Sequence, residues 1–197
     1  ADEINDASLS TYVISDDGNL QETSDNIAQA LSDVAEDDSQ LAKCTSDGRF
    51  VVVLDPGHGG KDSGATSSFN GKSYIEKNLN LKIAQYCKAE LEAYSNVDVY
   101  MTRNDDTFVE LEDRVSFAKS KNADLFVSIH NNSIGNSGVH GATVYYPNSN
   151  YNANIGNQGA NVAGKILNRL VALGLANEGT RIRNSESGDK YADGSLC

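Results

Sequence analysis

No stretch of this 197-residue chain is dense in lysine or arginine. A nucleic-acid binder needs a basic face to displace counterions from phosphates, so nucleic acid is not an expected partner. Long apolar runs are missing too: the longest are about five residues, against the roughly twenty that cross a bilayer. No basic amphipathic stretch suggests a surface anchor, so membrane insertion is not expected. The chain does not open on a charged and apolar leader; it begins Ala1-Asp2-Glu3, which fits either a cytosolic protein or a mature product whose leader has been removed. Cysteine is scarce. Cys44, Cys87 and Cys197 are too few and too scattered for a disulfide framework or a zinc ribbon, and their odd number leaves at least one unpaired.

What the chain has in excess is acid, and the excess sits at the front. Of the 28 Asp and Glu residues, twelve fall within residues 1–48 against the single base Lys43, so the remaining 149 residues hold 16 acids and 15 bases. Residues 1–48 read as an acidic extension or linker, whose one periodic piece, Ile27, Leu31 and Val34 behind Ser24, suggests a short helix at most. Residues 49–197 then read as one folded domain of a size that buries a real core.

The texture changes at Phe50-Val-Val-Val-Leu54, a continuous apolar run typical of a strand covered on both faces. Leu79, Ile83, Cys87, Leu91 and Tyr94 recur at helical spacing, which predicts a helix with Cys87 in its core face. Residues 97–101 predict a second strand, Leu111, Val115 and Ala118 a second helix, and residues 125–129 a third strand. A fourth strand is expected at 142–146, then a helix marked by Val162, Ile166, Leu170 and Leu173 and stopped by Gly174. The polar stretch after that helix shows no returning strand. Strands alternating with helices predict an α/β fold: an open, mainly parallel or mixed sheet flanked by helices on both faces, with ligands gathering beyond the carboxyl ends of the strands.

Two of the three histidines belong to that edge. His58 follows the first strand within Asp55-Pro-Gly-His-Gly-Gly60, where glycines let backbone approach a ligand closely, and His130 directly follows the third strand. A phosphate cradle would need a Gly-Lys-Ser/Thr ending and a helix opening on the glycines, and neither is present. Taken singly, each residue has an ordinary explanation. His58 could be a turn residue, Glu76 a complement to the positive end of the first helix, and His130 a core imidazole with a satisfied hydrogen bond. Together, two imidazoles and one carboxylate from separate strand-end loops match the His2Glu set that holds a catalytic zinc and leaves one position for water or substrate. Asp55 is expected either to orient one of these ligands from behind or to cap the turn. His140 opens the fourth strand instead of following one and is expected to be structural. Arg103 and Arg114, permanently protonated, suit scaffolding or substrate contact better than catalysis.

Four segments carry a resemblance: residues 54–65, Glu76 with residues 78–84, residues 102–106 with 111–114, and residues 122–130. In order and spacing they resemble the zinc-dependent N-acetylmuramoyl-L-alanine amidases of bacterial cell walls, from about Val51 onward. The resemblance implies an α/β sheet fold, one zinc ion held by His58, Glu76 and His130, and cleavage of the amide joining muramic acid to the L-alanine of the peptidoglycan stem peptide. It also implies secretion to the cell wall, where that substrate lies. Amidases of this kind place a second glutamate on a late strand as general base and acid. This sequence has no such segment before Cys197, and Glu186 and Asp189 lie in a Ser/Gly-rich loop without the matching context. The domain is therefore expected to lack its last strand and helix, and this form to turn over substrate about 10²–10⁴ times more slowly, or not at all. The alternative is a non-catalytic module that binds muropeptide without cutting it; a zinc peptidase would share the ligands but not the surrounding motifs.

Overall fold

The computed structural model describes residues 12–14, 20–22, 48–133, 140–147 and 153–182. In chain order its elements are β1 (Tyr12–Ile14), β2 (Leu20–Glu22), β3 (Phe50–Pro56), β4 (Thr66–Phe69), β5 (Lys72–Ile75), α1 (Glu76–Leu91), β6 (Val97–Met101), α2 (Leu111–Ser120), β7 (Leu125–Ile129), β8 (Ala142–Tyr146), α3 (Ala153–Ala172) and β9 (Asn177–Ile182). They fall into two compact units, residues 42–137, and residues 1–41 with 138–197.

The first unit is built on a parallel sheet of order β6-β3-β7. The apolar run at Phe50 becomes its central strand. Val51, Val52, Val53 and Leu54 are all buried, as a strand covered on both faces requires. Alternate residues of β3 serve opposite faces. Val52 and Leu54 join Val99, Met101 and Ala84 in a core against which Leu81, Cys87 and Leu91 of α1 pack. Asp55, on the opposite side of the pleat, meets Arg114 of α2, so helices cover both faces as expected. Burial, with the Glu90 carboxylate near it, pushes the Cys87 thiol up, in keeping with a core role.

The core face of α1 differs from the expected stripe. Glu76, Asn80 and Ala84 are its buried residues, while Ile83 and Tyr94 are 44% and 61% exposed. Cys87 and Leu91 of the expected stripe do pack on the core, but the most buried positions are the small Ala84 and the polar Glu76 and Asn80. Leu111 of α2 is likewise exposed, whereas Ala118 is buried as expected, together with Arg114. An antiparallel hairpin, β4–β5, precedes α1. Its two-residue turn, Asn70-Gly71, has positive φ at both positions, 49° and 73°, the type I′ geometry that Asn-Gly favours.

In the second unit β8 and β9 pair in parallel and α3 packs against them. β9 corrects the expectation that no strand follows the last helix. Its sequence, Asn-Glu-Gly-Thr-Arg-Ile, is polar and mostly solvent-facing, so apolar alternation does not announce it. β1 and β2 pair antiparallel with Tyr12 opposite Glu22, a pairing not expected in the acidic extension. The helix expected around Ile27, together with Cys44, Glu186, Asp189 and Cys197, lies outside the described residues. No helix among the described residues is long and apolar enough to cross a membrane.

Candidate metal centre

The β3–β7 pairing brings two histidine-bearing loops together. Pro56 lies opposite Ile129 in the ladder, and the Gly57 amide continues it by donating to Ile129 O at 3.0 Å. Gly57 and His130 are therefore neighbours across the sheet edge. The fit is close enough that a Cβ on Gly57 would fall 2.2 Å from His130 Cε1. Only a bare backbone leaves room for that ring.

His58 takes a left-handed conformation with φ 62°, which is costly for a residue with a side chain. Its surroundings enforce it. Gly59 and Asp62 exchange main-chain hydrogen bonds of 2.9 and 3.0 Å across the turn, and Arg114 Nη2 donates to His58 O at 2.9 Å. Arg114 Nη1 also reaches Pro56 O at 3.0 Å and Asp55 Oδ1 at 2.7 Å. The buried Arg103 donates from Nε to Pro56 O and from Nη2 to Gly57 O. Burial, together with the adjacent Arg114 guanidinium, lowers the Arg103 pKa, yet a guanidinium stays charged at any working pH.

Glu76 opens α1 but does not cap it. Oε2 accepts from the Ala65 amide at 2.8 Å and Oε1 from the Asn131 amide at 2.9 Å. Burial pushes this carboxyl upward. The two amides and the imidazoles of His58 and His130 more than offset that, and hold it below its ordinary value. Asn80, fully buried on the next turn, donates to Gly57 O and accepts from Asn131 Nδ2, which links both loops to α1.

His58 Nε2, Glu76 Oε1 and His130 Nδ1 form a triangle whose three sides are each 3.2 Å. Bonds of about 2.0–2.1 Å at tetrahedral angles place ligand atoms about 3.3 Å apart, so the triangle has the dimensions of three such ligands. The donor set agrees: a carboxylate oxygen and two ring nitrogens lie close enough together to share one metal ion. Among the described residues this is the one group of three or more His, Cys, Asp or Glu side chains arranged to hold a metal. Glu76 is 4% exposed, whereas the His58 and His130 side chains are 22% and 39% exposed, which leaves the centre open on the imidazole side. Gly64, with φ 61°, borders it as Gly57 does: a Cβ there would lie 2.5 Å from the His58 ring.

The three residues singled out as ligands thus converge, whereas Asp55 takes a different place from the one expected. Its carboxylate accepts from Thr102 Oγ1, Ser128 Oγ and Arg114, and touches no ligand side chain. It binds β3 to β7, to α2 and to the residue after β6. The residue behind His58 is Asp62, whose Oδ2 lies 2.8 Å from His58 Nδ1. That contact holds the Asp62 carboxyl below its usual range. A proton on Nδ1 then donates to Asp62 and leaves the Nε2 lone pair facing the centre. Asp62 was findable, four residues past His58 within the glycine-rich turn; the roles of Asn80 and of the Ala65 amide carry no sequence signal. His140 is exposed ahead of β8 and is not part of the cluster. Arg103 and Arg114 act as scaffolding.

A family model described as N-acetylmuramoyl-L-alanine amidase matches residues 52–191. The N-acetylmuramoyl-L-alanine amidase AmiC of Escherichia coli is 40% identical over 111 residues, 56% of this chain and 26% of that protein. A probable cell wall amidase, LytH, of Staphylococcus aureus is 39% identical over 134 residues, 68% of this chain and 41% of its own length. The chain therefore spans well under half of these curated relatives. The catalytic domain of CwlV, an N-acetylmuramoyl-L-alanine amidase from Bacillus (Paenibacillus) polymyxa var. colistinus, superposes with a TM-score of 0.58 at 37% identity, covering 69% of this chain and 71% of that one.

Proposed function

The chain belongs to the N-acetylmuramoyl-L-alanine amidase family, and from that membership we propose that residues 49–197 form a hydrolase domain that binds one zinc ion through His58, Glu76 and His130 and cleaves the amide between N-acetylmuramic acid and L-alanine in peptidoglycan. The observation that carries the reading is the 3.2 Å triangle of the three ligand atoms. When bound, zinc supplies a Lewis acid for the amide carbonyl and a water acidified toward neutrality. The residues do the rest. Asp62 holds the Nδ1 proton of His58, so Nε2 stays a ligand, and the Ala65 and Asn131 amides hold the Glu76 carboxylate ionised. Gly57 and Gly64 leave the space in which the two rings meet. Neither Glu76 nor Asp62 is free for general acid–base work, since both are committed to the centre; proton transfer in this reading falls to a further carboxylate. The substrate implies action at the cell wall, outside the membrane.

Two measurements test this. The protein is expected to bind about one equivalent of zinc, with His58→Ala and His130→Ala each losing it and His140→Ala retaining it; unchanged metal content in the first two would remove the centre. Peptidoglycan treated with the zinc-loaded protein is expected to release stem peptides beginning with L-alanine about 10²–10⁴ times more slowly than with a form that also carries the further carboxylate, or not at all. Fragments with another N-terminus would make the protein a peptidase, and adsorption to the wall without release even when that carboxylate is supplied would make it a binding module.

A further inference from the structure

This inference rests on the zinc-centre reading and concerns a residue that touches none of the three ligand side chains. Arg103 lies two residues past the end of β6 and is 3% exposed. All four hydrogen bonds that it makes go to main-chain carbonyls. Nε donates to Pro56 O at 2.8 Å, Nη1 to Asp105 O at 2.9 Å, and Nη2 to both Gly57 O at 2.9 Å and Lys77 O at 2.8 Å. Gly57 immediately precedes His58, and Lys77 immediately follows Glu76. One nitrogen atom therefore ties the backbone beside one ligand to the backbone beside another.

Arg114 pairs with the Asp55 carboxylate through Nη1 and gives its remaining donors to the carbonyls of Val109, Pro56 and His58, whereas Arg103 makes no such carboxylate contact among the described residues. Arg103 spends its bonds on the backbone of two ligand-bearing segments. His58 is held in a left-handed conformation that it would not adopt unaided, and Glu76 begins a helix whose first residues have no side-chain cap. Both segments thus depend on outside anchors, and Arg103 supplies one to each. We propose that Arg103 is a positioning residue: by holding Gly57 O and Lys77 O on a single nitrogen it sets the spacing between His58 Nε2 and Glu76 Oε1, and through that spacing the affinity of the centre for its ion. A lysine there keeps the charge but offers one nitrogen in place of the planar fork, and so cannot hold the four carbonyls in the same geometry.

The test compares wild type, Arg103→Lys and Arg103→Ala in three measurements: thermal unfolding of the metal-free protein, zinc affinity by competition with a chromogenic chelator, and visible absorption after loading with Co²⁺. Both variants are expected to bind zinc about 10–100-fold more weakly, as changes behind a metal ligand commonly do. Their cobalt bands should be altered in position or intensity, and added guanidinium should restore affinity to Arg103→Ala. If Arg103→Ala does not fold, Arg103→Lys decides alone. An Arg103→Lys protein that melts earlier yet binds zinc within about twofold of wild type, with the same cobalt spectrum, would reduce Arg103 to a structural residue. Failure of wild type to bind zinc, or retention of zinc by His58→Ala, would instead sink the centre itself.

Discussion

At the scale of single residues, the centre is governed by what is absent as much as by what is present. Gly57 has an ordinary φ, so its restriction is purely one of space: the His130 ring occupies the position that a methyl group would need. Gly57→Ala is therefore expected to displace His130 and abolish tight zinc binding while leaving the sheet folded, with metal content and circular dichroism as the paired readouts. Asp62 acts more gently. Asp62→Asn keeps an acceptor for His58 Nδ1 but removes its charge, and zinc affinity is expected to fall by about 10–100-fold; an unchanged dissociation constant would leave Asp62 no part in orienting the ring. Acid dependence at this scale belongs to Asp106, which takes hydrogen bonds from Lys77 Nζ and the Gly60 amide. Lys77, then Gly60, hold its carboxyl below the ordinary value. A depressed folded pKa contributes stability that is present above the ordinary carboxylate range and disappears as pH falls through the folded value. Asp106→Asn should thus lower the melting temperature near neutrality, and the gap from wild type should close in acid.

At the scale of elements, legibility followed apolar and β-branched content. β3 could be read from a continuous apolar run because it is the central strand of a parallel sheet, covered on both faces; β6, β7 and β8, less buried, were legible from their β-branched and aromatic residues, and His58 and His130 could be placed from the ends of β3 and β7. Three features could not. β9 is an exposed polar strand, held by backbone pairing that leaves no side-chain pattern. The β4–β5 hairpin has mostly polar, exposed strands; its Asn70-Gly71 signal was present but stood between segments without apolar alternation. In α1 Ile83 is exposed although Cys87 and Leu91 of the same stripe pack on the core, since Glu76, Asn80 and Ala84 hold the most buried positions. That arrangement has a measurable consequence. Ile83→Ser, on an exposed surface, should change unfolding free energy by no more than about 0.5 kcal/mol, whereas Ala84→Leu, at a fully buried position, should cost about 1–3 kcal/mol by overpacking. The reverse order would restore the face that spacing alone suggests. Leu54→Ala, in the central strand, is expected to cost about 2–5 kcal/mol in denaturant unfolding.

For the molecule as a whole, charge and chemistry are segregated. The acidic surplus lies in residues 1–48, whereas His58, Glu76 and His130 all belong to the unit of residues 42–137 and to a nearly neutral stretch of sequence. A zinc ion held by the proposed centre would bind the folded chain and not the unfolded one, so metal should act as a global stabiliser. Zinc at about 100 times its dissociation constant is expected to add about 2.7 kcal/mol to the unfolding free energy, and a chelator should return the melting temperature to that of the metal-free protein. A melting curve indifferent to zinc would mean that the centre does not bind it appreciably in the folded state.

His58 and His130 stand 72 positions apart, and their rings come together only because β3 and β7 lie side by side. The pair His58 and Glu76, 18 positions apart in sequence, does not need that pairing, but the third side chain of the triangle does. In the proposed zinc centre, a three-ligand grip on the ion therefore waits on the pairing of β7 with β3, so tight metal uptake would report that long-range pairing.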